Sequence, residues 1–594
     1  MADHEYRVWA PRADRMRLVT DGASTEMEDV GGGWWRQTGP AGEYGFQIGD
    51  DDAVRPDPRS RRQPRGVHDL SQTFDPAEHA WQDGEWTGRR LAGGVVYELH
   101  VGTFTPEGTF DAAAAQLEHL ASIGVTHVEV LPVNAFNGTH NWGYDGVLWY
   151  AVQEQYGGPA GYQRFVDACH RAGMAVIQDV VYNHLGPSGN YLPLYGPYLG
   201  DERNTWGEVV QVREPEVRRY IVENALYWLR DMHVDALRLD AVHALVDDPD
   251  DHILEALTVG VASESAHQGR PLTLIAESDL NEPRLVTPRE GGGYGLDAQW
   301  SDDYHHAIHV ALTRETAGYY ADFEPLGALA KAIERGFFHD GTFSSFRGRD
   351  HGSPIDVERM PSWRLVVSAQ NHDQIGNRAI GDRTVDVLDD SQLLVAAMLL
   401  YAGPFTPMLF QGEEWAASSP FQFFTSHPEE ELGRLTAEGR ISEFAAMGWD
   451  ADVVPDPQDP ETFRRSILRW EELGSGRHAV VLEGYRRLAT LRRDWAALTD
   501  PSLAANRVVV DEEARTLRVT RSGSLRIAGT TPDAAHDGRG PVDMLVNVGD
   551  AVWEAPVPLG ATLLFGTSDA VALDDAAVHL PPGSGALVAL PTQP

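Results

Sequence analysis

The stretch DALRLDAVH, residues 235–243, sets two opposite charges inside an apolar run. Taken as a β-strand, it sends side chains i and i+2 to the same side. Arg238 and Asp240 then share a face with Ala236, while Leu237 and Leu239 take the other. A strand with one aliphatic face and an ion pair ending the other fits two settings. One is a structural salt bridge, because structural pairs also perturb pKa values. The other is a strand whose C-terminal end opens on a reaction site. The neighbouring segments decide between them.

On either side, seven more strand-like runs appear: VVYEL (95–99), VTHVEVLP (125–132), MAVIQDVV (174–181), LTLIAE (272–277), LDAQW (296–300), RLVVSAQ (364–370) and FTPMLFQ (405–411). Helical patterns lie between them, such as FDAAAAQLEHLASIG (110–124), GYQRFVDACHRAG (161–173) and PEVRRYIVENALYWLRDM (215–232). Each helical pattern stops near Gly or a polar break. Eight β/α alternations predict a parallel (β/α)8 barrel. A doubly wound open sheet is the alternative, but no Gly-rich phosphate loop follows the first strand.

The flanks have a different rhythm. YRVWAP (6–11), RMRLVTDG (15–22), GGGWWRQTG (31–39) and EYGFQIGD (43–50) are short strand-like pieces split by turn residues. RPDPRSRRQPRG (55–66) reads as a linker or surface loop. Past about residue 500, ARTLRVTRSGSLRIAG (514–529), DMLVNVG (543–549), ATLLFGTS (561–568) and GALVALP (585–591) return to β patterns. The expected layout is an N-terminal β-sandwich over 1–88, the barrel over 89–495 and a C-terminal β-sandwich over 496–594.

A formal net charge of −41 over 594 residues argues against a nucleic-acid binder, which needs a basic footprint. It offers no anchor for anionic membranes either. There is one cysteine, Cys169, so no disulfide can form within the chain. The N-terminal MADHEYRVWAPRADR carries no apolar core of a secretory signal, and no apolar run is long enough to span a bilayer. A cytoplasmic protein is expected.

A barrel gathers its reacting groups at the C-terminal ends of its strands. The third strand runs into DVVYNH, with Asp179, Asn183 and His184; the fourth ends at Arg238 and Asp240. The fifth ends at Glu277, and the seventh runs into His372 and Asp373. Polar groups at four strand ends of one rim are hard to explain as caps alone. The types suit glycoside chemistry, in which one ionised carboxylate attacks and a protonated one donates. Arg238 would favour the ionised form of Asp240, and neighbouring carboxylates would keep a proton on Glu277. Trp142 and Tyr144 offer flat faces for pyranose rings. Metal chemistry is not expected: His119, His127 and His140 are scattered, and His305 and His306 lack a CxxC or HExxH partner. No cofactor is implied.

DVVYNH, DALRLDAVH, AESD and QNHDQ, in this order, resemble the four signature segments of the α-amylase family. The resemblance implies a (β/α)8 barrel acting on α-glucans with retention. Asp240 would be the nucleophile, Glu277 the general acid/base and Asp373 the transition-state stabiliser. Asp179, His184, Arg238 and His372 would support them, with Tyr144 stacked on the sugar in the −1 subsite. YELHVGTFTPEGTF (97–110), NWGYDGVLWYAVQEQYGGP (141–159), GLDAQWSDDYHHAIH (295–309) and FQGEEWAASSPFQFFTSH (410–427) are similar to segments of the maltooligosyltrehalose trehalohydrolases. YRVWAPRADRMRLV (6–19) looks like the β-sandwich ahead of the barrel in trehalohydrolases, isoamylases and branching enzymes.

The reaction this resemblance implies is hydrolysis of the α-1,4 bond beside the trehalose end of maltooligosyltrehalose. A glycogen branching enzyme is the enzymatic rival, handing the glucan to a sugar hydroxyl through the same carboxylates. A non-catalytic glycan-binding barrel is the other rival, but it would be expected to have lost those carboxylates. Residues that read the 1,1-linked leaving group should succeed the catalytic groups along the rim. His243, Asp279, Asp303, His306 and Glu413 are the candidates, with most weight on His243 and Asp279.

Overall fold

Eight aliphatic runs become the strands of a closed parallel barrel in a computed structural model that describes residues 3–204, 206–446, 453–523 and 539–591. They are β1 (Val96–Leu99), β2 (His127–Val130), β3 (Ala175–Val180) and β4 (Ala236–Leu239). β5 (Thr273–Ala276), β6 (Ala298–Trp300), β7 (Leu365–Ser368) and β8 (Thr406–Phe410) complete it. Each strand pairs with the next, and β8 closes on β1. All eight sequence-predicted strands are present.

The alternation along β4 sorts its side chains as expected. Leu237 and Leu239 pack outward in the large core that includes Trp228 and Leu229 of the preceding helical segment. Ala236 joins Val96, Ile177, Ile275, Ala298, Val366 and Met408 in a separate apolar plug inside the barrel. One step further along the strands the interior turns charged. Glu98 pairs in register with Glu129, and Asp179 with Arg238. Such layering is how a barrel of this kind is filled, with the open end at the strands' C-termini.

The connections differ from a strict β/α alternation at one place. Between β5 and β6 the chain makes only short 3-10 turns, Pro283–Leu285 and Arg289–Gly291, and no α-helix. Pro283, Pro288 and the run Gly291–Gly293 explain this, since Pro and Gly are the poorest helix formers. The other arms carry helices, among them Gly158–Arg171, Pro215–Leu226, Ile253–Gln268 and Asp302–Thr313.

Ahead of the barrel lie two small antiparallel sheets. One joins Asp3–Trp9, Glu28–Gly31 and Trp34–Pro40; the other joins Met16–Thr20, Ala23–Glu26, Glu43–Ile48 and Ser71–Gln72. Segment 55–66 is not the exposed linker its composition suggests. Pro56, Asp57, Pro58 and Ser60 are buried, and Arg59 bonds Glu223 at 2.6 Å and Tyr150 at 3.0 Å. Its arginines tie the N-terminal sheets to the barrel. Behind the barrel, a five-stranded and a three-stranded sheet enclose Leu545, Val578, Leu580 and Val588. Part of the strand expected over 514–529, residues 524–529, falls outside the described residues. Among the described residues, no helix is long and apolar enough to cross a membrane.

Candidate active site

Backbone pairing carries β4 and β5 one residue past their formal ends. Asp240 N–H donates to Val180 O and Glu277 N–H to Leu239 O. Both carboxylates therefore sit on rigid ladder positions rather than on loose loops.

Arg238 is fully buried and answers the question its sequence raised. Its Nη1 donates to Asp240 Oδ1 at 2.6 Å and to both oxygens of Asp179 at 2.9–3.0 Å. Its Nη2 lies 3.5 Å from Glu277 Oε2. The guanidinium rests over Trp300, 4.5 Å from the ring centre. One cation thus touches three carboxylates, which a simple structural pair would not need. Asn183 Nδ2 holds the other oxygen of Asp240 at 2.8 Å.

Glu277 is placed by a strained turn. Ala241 adopts φ +40°, a left-handed conformation uncommon for a residue with a side chain. Its N–H then donates to Glu277 Oε2 at 2.6 Å. Strain of this sort persists where surrounding structure enforces it, often at functional sites. Burial pushes the Glu277 carboxyl up to about 8; Arg238 opposes this, while Asp240, Asp373 and Asp302 add to it. Neighbouring carboxylates act in the expected direction, but burial comes first.

Asp373 lies in the first turn of the short helix His372–Gly376 and is the most exposed of the three, with 43 % of its side chain accessible. Tyr144 donates to Asp179 Oδ2 at 2.7 Å and stacks on His372 with ring centres 5.3 Å apart. His184 is buried, with Nε2 3.0 Å from the Tyr144 carbonyl. Burial lowers its affinity for a proton.

Trp142 is not an open sugar platform. It is 4 % exposed, its Nε1 donates to Gln422 O, and its ring stacks on Phe421. A Cβ on Gly376 would lie 2.1 Å from that ring, so glycine is required there. Trp142 is the wall behind Tyr144 and His372.

The leaving-side candidates separate. His243 and Asp279 come together, 4.0 Å apart, with Arg347 bonding Asp279 Oδ2 at 2.5 Å and His351 contacting its carbonyl. Burial works to raise the Asp279 carboxyl, but Arg347 overrides it and holds it below the usual range. His306 stands in an aromatic wall of Tyr319, Tyr320 and Phe323; burial first, then His309, His339 and Arg347, lower it to about 3 and keep it neutral. Asp303 is buried, and its Oδ2 accepts from Asn281 and from the N–H groups of Phe338 and His339. Glu413 is also withdrawn. It is buried against the Gly476–Asp494 helix, accepting from Tyr485 OH and Phe410 N–H.

Three rim residues escaped the sequence. Asp302, one position before Asp303, shares the field of Glu277 and Asp373; its carboxyl is pushed up to about 7 by burial first, then by Asp373, Asp279 and Asp303. The doublet offers the signal, but the member that shares this field is Asp302 and not Asp303. Trp206 is half exposed and stacks on His184 at 5.6 Å. Arg347 sits on a hairpin, Thr342–Ser344 with Arg349–His351, whose residues match no motif. Among the described residues, no group of three or more His, Cys, Asp or Glu is arranged to hold a metal ion.

A closed parallel barrel with an ion-paired carboxylate and a proton-holding one at adjacent strand ends has the equipment of a glycoside hydrolase. The family model for the alpha-amylase catalytic domain matches residues 65–193. The chain is 55 % identical over 597 residues to the malto-oligosyltrehalose trehalohydrolase of Rhizobium sp. strain M-11, covering 98 % of this chain and 97 % of that one. A solved structure from Salmonella typhimurium superposes with a TM-score of 0.88 at 36 % identity, covering 99 % and 98 % of the two chains. The Leifsonia xyli 1,4-alpha-glucan branching enzyme matches at 31 %, over 51 % of this chain and 47 % of its own. The chain belongs to the malto-oligosyltrehalose trehalohydrolase family.

Proposed function

We propose that this chain hydrolyses the α-1,4-glucosidic bond next to the trehalose end of maltooligosyltrehalose, releasing trehalose with retention at the cleaved carbon. The observation that carries the site assignment is Arg238, bonded to Asp240 and in contact with Glu277. Asp240, gripped through both oxygens, is the nucleophile on C1 of the −1 glucose. Glu277, holding its proton to about pH 8, protonates the departing O4 of trehalose. Water then enters, gives its proton to the Glu277 carboxylate and opens the glycosyl-enzyme. Asp373 stabilises the positive charge that develops on the sugar ring.

Tyr144, with one face packed on His372, supplies the sugar platform, and His184, Arg238 and His372 line the same subsite. Maltooligosyltrehalose and related α-glucans are the substrates. In this proposal the barrel (89–495) is flanked by separate β domains (1–88 and 496–594). We also place the reaction in the cytoplasm, where the single buried thiol of Cys169 suits a reducing compartment.

Incubation with maltotriosyltrehalose should yield free trehalose and maltotriose, with one new reducing end per cleavage. A branching enzyme would move glucan without raising the reducing-end count, and that result would refute hydrolysis. The distant, half-length match to a branching enzyme favours the hydrolase.

The His243–Asp279–Arg347 cluster is the reader of the trehalose unit. It lies just past both catalytic carboxylates and combines a neutralised acid with donors. A site built on such hydrogen bonds rejects misfitting hydroxyl patterns more strongly than shape alone. His243→Ala should raise KM for maltotriosyltrehalose several-fold more than for maltopentaose. Equal losses on the two substrates would assign the cluster to general glucan binding.

A further inference from the structure

Behind the rim, an acidic residue of β1 makes contacts that no step above uses. Glu98 is 1 % exposed and lies in the barrel interior. Its Oε2 accepts the backbone N–H of His372 at 2.9 Å, and its Oε1 lies 2.6 Å from His372 Nδ1. On the other side of the ring, Nε2 is 2.8 Å from Tyr144 OH and 3.5 Å from Asp373 Oδ2. Tyr144 has one hydroxyl proton, and it goes to Asp179 Oδ2, which also takes Arg238. The Tyr144 oxygen must therefore accept from Nε2, which fixes a proton there. The remaining proton lies between Nδ1 and Glu98. Glu98 already accepts the His372 backbone N–H through Oε2, which favours its ionised form, so the ring keeps this proton as well.

We propose that Glu98 is a positioning residue that holds His372 as a fixed imidazolium cation behind Tyr144 and Asp373. The consequence is an ordered chain: Glu98 accepts from His372, His372 donates to Tyr144, Tyr144 donates to Asp179, and Arg238 joins Asp179 to Asp240. The first strand is thereby linked to the nucleophile on the fourth. Deprotonation of the ring would reverse the Tyr144 hydroxyl and strip Asp179 of a donor.

The groups facing His372 are Glu98 on β1, Glu129 on β2, Tyr144 on the loop after it, Asp179 on β3, Arg238 on β4 and Asp373 beside it, with His100 nearby. Burial and Arg238 disfavour the cation, but Glu98 and Asp373 outweigh them and raise the ring to about 9. The cation is thus present below about pH 9 and would be lost above it.

This inference rests on the site assignment above, and its test separates the two. Wild type that releases no trehalose would refute the assignment. In an active enzyme, Glu98→Gln keeps the size and hydrogen-bonding reach of the side chain and removes the charge. The descending limb of kcat/KM against pH should then move about one unit or more to the acid side, with activity near pH 5.5 lost far less than near pH 8, because a buried imidazole without its carboxylate falls to its ordinary value or lower. An unmoved limb with a uniform loss at every pH would overturn the proposal. If the variant does not fold, 15N-histidine NMR of the wild type at about pH 7.5, assigned with His372→Asn, decides. Two protonated ring nitrogens support the cation, and one refutes it.

Discussion

Asp240→Asn lowers kcat on maltotriosyltrehalose by at least about 10^4-fold while the protein stays folded, as expected when a reacting group rather than a binding contact is removed. The amide keeps the shape of the carboxylate but cannot form the glycosyl ester. Folding should survive because Arg238 still has Asp179, bound through both oxygens, and contact with Glu277. An uncompensated buried cation, the usual cause of large destabilisation at such a site, does not arise. Steady-state kinetics and a thermal melt check both halves. Turnover within tenfold of wild type would remove Asp240 from the nucleophile's role.

Glu277→Gln should produce the second-largest loss, about 10^2–10^4-fold on natural substrate, the usual range for a general acid. Here the diagnostic is selective. With α-maltosyl fluoride the leaving group needs no proton, so formation of the glycosyl-enzyme should be spared, and the intermediate should accumulate because its hydrolysis lacks a base. The descending limb of the wild-type pH profile reflects the same group. Glu277 carries its proton below about 8 and loses it above, so activity should fall as pH rises through that value. In the variant that limb should be absent from fluoride consumption. A variant whose first-turnover release of fluoride is as slow as its cleavage of maltotriosyltrehalose would point to a structural role.

The barrel is legible in the sequence because its strands are short, aliphatic and regularly spaced. DALRLDAVH is legible in finer detail, since alternation along a strand assigns Arg238, Asp240, Leu237 and Leu239 to their faces before any tertiary contact is known. Loops offer no comparable rule. Asp302 and Asp303 are adjacent in a helix's first turn, where one residue's rotation decides which carboxylate meets the cleft, and only packing against Asn281 and the 338–339 backbone settles it. Trp142 misleads because exposure of an aromatic depends on what covers it, here Phe421 from a segment far away in sequence. Glu413 misleads likewise, its carboxyl claimed by Tyr485 of the last barrel helix. The arginines of 55–66 look like a solvated linker in composition, but Glu223, Glu154 and the Tyr150 hydroxyl turn them into a seam. Glu98 stands in the segment YELHVGTFTPEGTF, but nothing in that segment shows its role, which lies in a ring 274 residues away.

The measurement closest to the central claim is a 1H NMR time course of maltotriosyltrehalose digestion, read in the first minutes before mutarotation. Double displacement through Asp240 with Glu277 as acid/base predicts free trehalose appearing together with maltotriose whose new reducing end is the α anomer. A β anomer appearing first, or cleavage that leaves the trehalose unit attached to glucose, would contradict it.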